Sequence, residues 1–127
     1  MIDLGREPDY RGRWEQEGPY DERSDFILYI LERRPSFEHE HAEIIEGVIK
    51  DRLGLDGFSG DIDNETCTIY FQKQYIKPGI GSGIVRYDGI IDENGNISGT
   101  FRIGEPSATY RGKFTMSPVK QIVESTA

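Results

Sequence analysis

Lys73 sits between Phe71 and Tyr75 in a run, Thr66 to Ile76, whose polarity alternates residue by residue. In an extended chain alternate side chains share a face. Lys73 therefore shares a face with Ile69, Phe71 and Tyr75, and that face is the apolar one. A lone cation among aromatic rings suits the anionic head of a small apolar molecule. The competing expectation is a lysine at the rim of the fold that extends its ammonium to water.

The other chemistry-bearing clusters read more simply. Glu38-His39-Glu40-His41, with Glu43, is the one metal-like group. Zinc needs a further protein ligand, so alternating Glu and His after Pro35 predict a solvated loop and no metal. Asp92, Asn94 and Asn96 imitate the opening of a calcium loop, but Gly95 precedes Asn96 and Ile103 stands where a closing Glu is required. That segment predicts a hairpin turn. Asp61, Asp63 and Glu65 have no identifiable partner. Gly79-Ile80-Gly81-Ser82-Gly83 lacks the Lys-Ser/Thr ending of a phosphate loop and predicts a flexible connection. Both histidines lie in one acidic loop, so no Ser-His-Asp set can be built and no catalytic residue is assigned. Cys67, read as mid-strand, predicts an inert core thiol. No cofactor is expected.

The elements that would position Lys73 announce themselves by repetition. Tyr10-Arg11-Gly12-Arg13-Trp14 and Tyr110-Arg111-Gly112-Lys113-Phe114 both read Tyr-Arg-Gly-cation-aromatic, and Tyr87-Asp88-Gly89 is a looser copy. Eight strand-like segments are predicted near 10–15, 24–33, 43–50, 57–63, 66–76, 84–92, 96–104 and 108–116. Asp56-Gly57 and Asn94-Gly95 are read as hairpin dipeptides. If the first and last strands pair, the sheet closes and has no free edge. The fold class is all-β: a single eight-stranded antiparallel up-and-down barrel over 10–117, with tails at 1–9 and 118–127.

Alternation then assigns faces. Gly12 and Trp14 face in, as do Ile97, Gly99 and Phe101, and Gly112, Phe114 and Met116. The outward cations Arg11, Arg13, Arg111, Lys113 and Arg102 should form a patch that needs compensation, for example from Glu15. Phe26 to Leu31 is apolar on both faces. Such a strand is covered on both sides, so a homodimer or a tail over Ile27, Tyr29 and Leu31 is expected.

Composition bounds the partners. The chain has 127 residues, one domain by length. A net charge of −8 argues against nucleic acid, which needs clustered cations. No apolar run approaches the roughly 20 residues of a membrane helix. The first residues show no basic-then-apolar signal pattern and there is one cysteine, which together predict a reducing, cytoplasmic setting.

In order and spacing these phrases resemble the calycin barrels, the group of lipocalins and avidins. Gly12-Arg13-Trp14 is similar to the Gly-x-Trp that opens such chains. Phe71-x-Lys73-x-Tyr75, Tyr87-x-Gly89, Ile97-x-Gly99-x-Phe101 and Gly112-x-Phe114-x-Met116 resemble strand phrases of bacterial lipocalin-like domains. The resemblance covers 10–116 and implies a barrel that binds a small ligand. It departs from the group in three places. Trp14 stands alone where avidins place several tryptophans, so biotin is not expected. The last histidine is His41, whereas nitrobindin-like haem barrels use one late in the chain. The Thr-Asp-Tyr signature is absent.

An eight-stranded barrel is just wide enough to be filled by its side chains or to hold one small ligand. The leading expectation is a small apolar or amphipathic molecule in the cup. Trp14, Phe71, Tyr75, Tyr87, Phe101 and Phe114 would line it, and Lys73 would orient it. The alternatives are a filled barrel that serves as an interaction or structural module, and a barrel isomerase or cyclase using a pocket Tyr or Lys.

Overall fold

The computed structural model describes residues 5–17, 22–77, 81–103 and 110–119; for 74–77, 81–83 and 110 it describes the backbone alone. Eight strands follow one another: β1 (Tyr10–Glu17), β2 (Arg23–Pro35), β3 (Ala42–Asp51), β4 (Gly54–Asp63), β5 (Thr68–Lys77), β6 (Gly81–Ile91), β7 (Ile97–Ile103) and β8 (Tyr110–Pro118). Each pairs antiparallel with the next, and β8 closes onto β1. The barrel is closed, all-β, and compatible with a calycin-type architecture. No described helix is long and apolar enough to cross a membrane.

Closure brings the two repeated phrases side by side, Trp14 opposite Phe114 and Gly12 opposite Met116. Because the pairing is antiparallel, the phrases run past each other. Arg11 and Arg13 face Ser117 and Thr115, while Lys113 and Arg111 face Glu15 and Glu17. Most of the expected cation patch is thus interleaved with hydroxyls and carboxylates. The exception is a row across β6, β7 and β8, where Arg102 lies between Arg86 and Arg111 in direct register.

Alternation holds along nearly every strand. Trp14, Phe71, Tyr87, Phe101 and Phe114 point inward and are between 0 and 6 % exposed. Their rings touch. Phe71 stacks on Tyr87 at 4.4 Å and 7°, Phe114 meets Tyr87 edge-on at 5.3 Å, and Trp14 meets Phe101 edge-on at 5.8 Å. Offset and edge-on pairs stabilise beyond their buried area. The close approach of strands requires glycine where rings cross. A Cβ on Gly99 would lie 1.8 Å from the Asp88 carbonyl oxygen.

Three local expectations change. The β3–β4 turn is not at Asp56-Gly57, which continues β4. It falls at Arg52-Leu53, where the Asp51 carboxylate accepts the Leu53 N–H at 2.9 Å and Gly54 takes φ 138°. Cys67 is not a core thiol. Asp63 accepts the N–H groups of Glu65 and Thr66, the turn extends through Cys67 at φ 56°, and the thiol is exposed. β2 carries a bulge between Ile30 and Glu32, which reverses the faces beyond it and leaves Leu31 projecting. The Asp92 carboxylate accepts the N–H groups of Asn94 and Asn96 at 2.9 Å, and Gly95 has φ 84°, the hairpin turn read from the sequence.

Part of the two-sided β2 strand is covered by the chain's own start. Arg6 lies over the Tyr29 ring at 5.2 Å and donates to the Ile30 carbonyl at 2.9 Å, and Asp9 accepts the Ile30 N–H at 2.7 Å. Leu31 remains 57 % exposed.

Candidate functional site: a buried lysine with two carboxylates

The β5 alternation that carries Phe71 inward carries Lys73 with it. A buried ammonium needs a partner, since desolvation of an unpaired charge is far costlier than any single contact. The partner comes from the end of β3. Ile45, Gly47, Ile49 and Asp51 share a face, so Asp51 is the last inward position of that strand. Lys73 Nζ donates to Asp51 Oδ2 at 2.8 Å, with side-chain exposures of 4 % and 0 %. Trp14 Nε1 donates to the same oxygen at 3.2 Å. Asp51 Oδ1 holds the Leu53 N–H, so one carboxylate ties β1, β5 and the β3–β4 turn together.

Asp56, inward on β4, is the second carboxylate, 4.0 Å from Lys73 Nζ and 17 % exposed at its side chain. Of the three groups it alone has substantial access to solvent. Burial raises its carboxyl above the ordinary range, the Lys73 ammonium pulls it down, and the Asp51 charge pushes it up again. The Tyr87 phenol is pushed far up by burial and by the charges of Asp51 and Asp56, so it stays protonated and is no base at neutral pH. Around the rim, Arg52 lies 5.8 Å from the Trp14 ring, pairs with Glu22 at 3.1 Å, and donates its backbone N–H to Ser24 Oγ.

The structure therefore brings Trp14, Phe71, Lys73, Tyr87, Phe101 and Phe114 into one interior. The Tyr75 side chain lies outside the described residues. An anionic head group loses its expected anchor, because the Lys73 ammonium is already held by Asp51 and faced by Asp56. Two carboxylates thus stand around one ammonium. The sequence reading passes over Asp51 and takes Asp56 for a hairpin residue, whereas the structure places it inward on β4. The in-phase Ile45, Ile49 and Asp51 was the available signal, masked by ending that strand at residue 50.

The raised Asp56 carboxyl gives a pH prediction. An acid protonated more readily when folded supports folding at low pH, and its ionisation opposes folding as pH rises through the folded value. Asp56→Asn should therefore raise Tm at pH 7. The gain should shrink below about pH 4, where ordinary aspartates are protonated. Thermal melts across pH test this; a lower Tm at pH 7, or a difference independent of pH, would contradict it.

At the opposite end Arg33, on the same side as Ile45, pairs with Glu43, which also accepts from Asn64 Nδ2 at 3.0 Å. Hydrogen bonds from Arg33 and Asn64 hold the Glu43 carboxyl below its usual range. His39 and His41 lie exposed in the β2–β3 connection, with His41 Nε2 3.6 Å from Glu65. Among the described residues no group of three or more His, Cys, Asp or Glu gathers to hold a metal ion.

Two recesses are formed by described residues, and both open on the outer wall. One, of about 580 Å³, runs over β2 to β6 between Leu31 and Ile84, with Gly57 and Ser59 between them. The other, of about 500 Å³, runs over β8, β1, β2 and β3 beside Arg11, Arg13 and Lys50. Comparison with protein families, curated proteins and solved structures found no match for this chain.

Proposed function

We propose that this protein is a binding module that works through its outer wall, with the barrel interior serving as its core. The observation that carries the reading is the packing of the described interior: its inward rings touch one another and are almost fully buried, while the two recesses formed by described residues face outward. Register divides the outer wall into two kinds of surface. Over β2 to β4 it presents Ile27, Tyr29, Leu31, Val48 and Leu55. Over β6 to β8 and β1 it presents mostly charged and hydroxyl side chains. Leu31, Leu55 and Ile84 are the large apolar side chains exposed on this side, and exposed apolar surface of this kind supports an interaction site. The calycin likeness fits the closed meander, and one exposed thiol, Cys67, suits the reducing cytoplasmic setting.

A second reading, a small ligand at the barrel end, is favoured by the partial exposure of Asp56 beside Lys73. Its ligand would be apolar with a cationic or hydrogen-bond-donating head.

Titration with N-phenyl-1-naphthylamine, an uncharged apolar dye with one N–H donor, separates the two. On the outer-wall reading the dye's fluorescence gain falls several-fold in Leu31→Asp and persists in Asp56→Ala, provided both variants keep the wild-type circular dichroism. Dye binding that ignores Leu31 and is lost in Asp56→Ala would overturn the outer-wall reading in favour of the interior.

A further inference from the structure

The outer wall of β7 and β8 carries two arginines that the rest of the chain's charge leaves alone. Arg6, Arg11, Arg13, Arg33, Arg34 and Arg52 each form an ion pair with a carboxylate. Carboxylates are plentiful, 23 Asp and Glu against 15 Lys and Arg. Arg102 and Arg111 nevertheless stand opposite each other in direct register, both exposed. Among the described residues neither forms an ion pair. Glu17 is the β1 residue opposite Arg111, and it leaves that pair unmade. Like charges directly opposite each other destabilise a sheet, and no contact within the barrel offsets this one.

Two residues along, on the same face, Lys113 stands opposite Thr100. The four side chains therefore rise from the corners of a rectangle, roughly 5 Å across the strands and 7 Å along them. Two guanidiniums, an ammonium and a hydroxyl share that small area. The flanking outward positions are Arg86 and Asp88 on β6 and Glu15 and Glu17 on β1, with Glu15 held by Arg13 at 3.6 Å. Arg86, Arg102, Arg111 and Lys113 thus meet Asp88, Glu15 and Glu17, four cations against three carboxylates. The area is net positive on a chain of net charge −8.

We propose that this rectangle binds a phosphate group, with Arg102 and Arg111 clasping its oxygens and Lys113 and Thr100 completing the shell. The planar guanidinium fork matches phosphate oxygens in bidentate geometry. A phosphate monoester carries a charge of about −1.5 to −2 and three acceptor oxygens, enough to serve two guanidiniums at once. A carboxylate brings one charge, and the one already opposite Arg111 does not engage it. The ligand is compact, because carboxylates stand on both flanks and the charge of the whole chain repels an extended polyanion.

The site deepens the outer-wall reading on strands that Leu31 does not share, so its test is separate from dye binding at Leu31. Calorimetric titration of the whole chain with inorganic pyrophosphate should give a Kd below about 1 mM. Arg102→Gln and Arg111→Gln should each weaken binding at least tenfold, and neither should lower Tm, since each removes a like-charge contact. Arg11→Gln, the same charge change outside the rectangle, should alter it less than twofold. Co-sedimentation with phosphatidylcholine vesicles containing phosphatidic acid distinguishes a lipid headgroup from a soluble ligand. Vesicle binding that is lost in Arg102→Gln, without pyrophosphate binding, supports the site and assigns its phosphate to a lipid. A chain that binds neither probe overturns the proposal. So does binding that Arg11→Gln weakens as much as Arg102→Gln does, which would mark diffuse attraction in place of a site. Dye binding that depends on Leu31 would leave the outer-wall reading standing in either case.

Discussion

Asp51→Ala will lower the unfolding free energy by about 3–5 kcal/mol, the cost of leaving a buried charge without its partner. The expectation follows from Lys73 Nζ, 2.8 Å from a carboxylate whose side chain is 0 % exposed. Removing the carboxylate strands the ammonium beside apolar rings, and the remaining acid, Asp56, is 4.0 Å away and partly hydrated. It also leaves the Trp14 indole N–H and the Leu53 backbone N–H without their acceptor. Lys73→Met added to Asp51→Ala should recover part of the loss, because a buried pair replaced by apolar groups is far less costly than a pair broken on one side. Urea denaturation of the two single variants and the double variant measures this. A double variant as unstable as the sum of the singles would show that the pair is not the source of the effect.

Trp14→Ala should cost about 3–5 kcal/mol, the range for emptying a large aromatic site. The ring is buried, meets Phe101 edge-on at 5.8 Å, and lies beneath Arg52. Its N–H also gives Asp51 one of its hydrogen bonds. Trp14→Phe separates the two contributions. It keeps most of the apolar contact and loses the donor, so its cost should be about 1–3 kcal/mol, in the range for an unmade buried hydrogen bond. A near-normal urea midpoint for Trp14→Ala would refute the placement of this side chain in the core. Equal losses in the two variants would mean that the hydrogen bond, rather than the ring, is what matters.

The basis for both predictions divides between sequence and fold. The alternation of Phe71 with Lys73, of Gly12 with Trp14, and of Gly112 with Phe114 made the inward set legible. A period of two is a local property of extended chain, set by backbone geometry before any partner arrives. The repeated Tyr-Arg-Gly phrases likewise made closure of β1 onto β8 legible, because matched faces on the first and last strands can both be buried only if the sheet closes.

What the local pattern lacks is register and the exact end of each element. Asp51-Arg52-Leu53-Gly54 and Asp56-Gly57 are both plausible turns. The choice fell to pairing across the whole β3–β4 ladder, with Asp51 capping the Leu53 N–H. That shift turned Asp51 inward as the partner of Lys73 and left Gly57 in mid-strand on the outer wall. Cys67 moved from core to surface for a similar reason, since the Asp63 carboxylate extended the turn through it. The sequence by itself determined the strands, their inward faces and the closed all-β architecture, all of which follow from short-range periodicity. Tertiary structure alone decided that the buried lysine is paired with Asp51, that the inward rings pack on one another and that Leu31 stands proud of its wall, because each depends on which residues meet across strands distant in the chain.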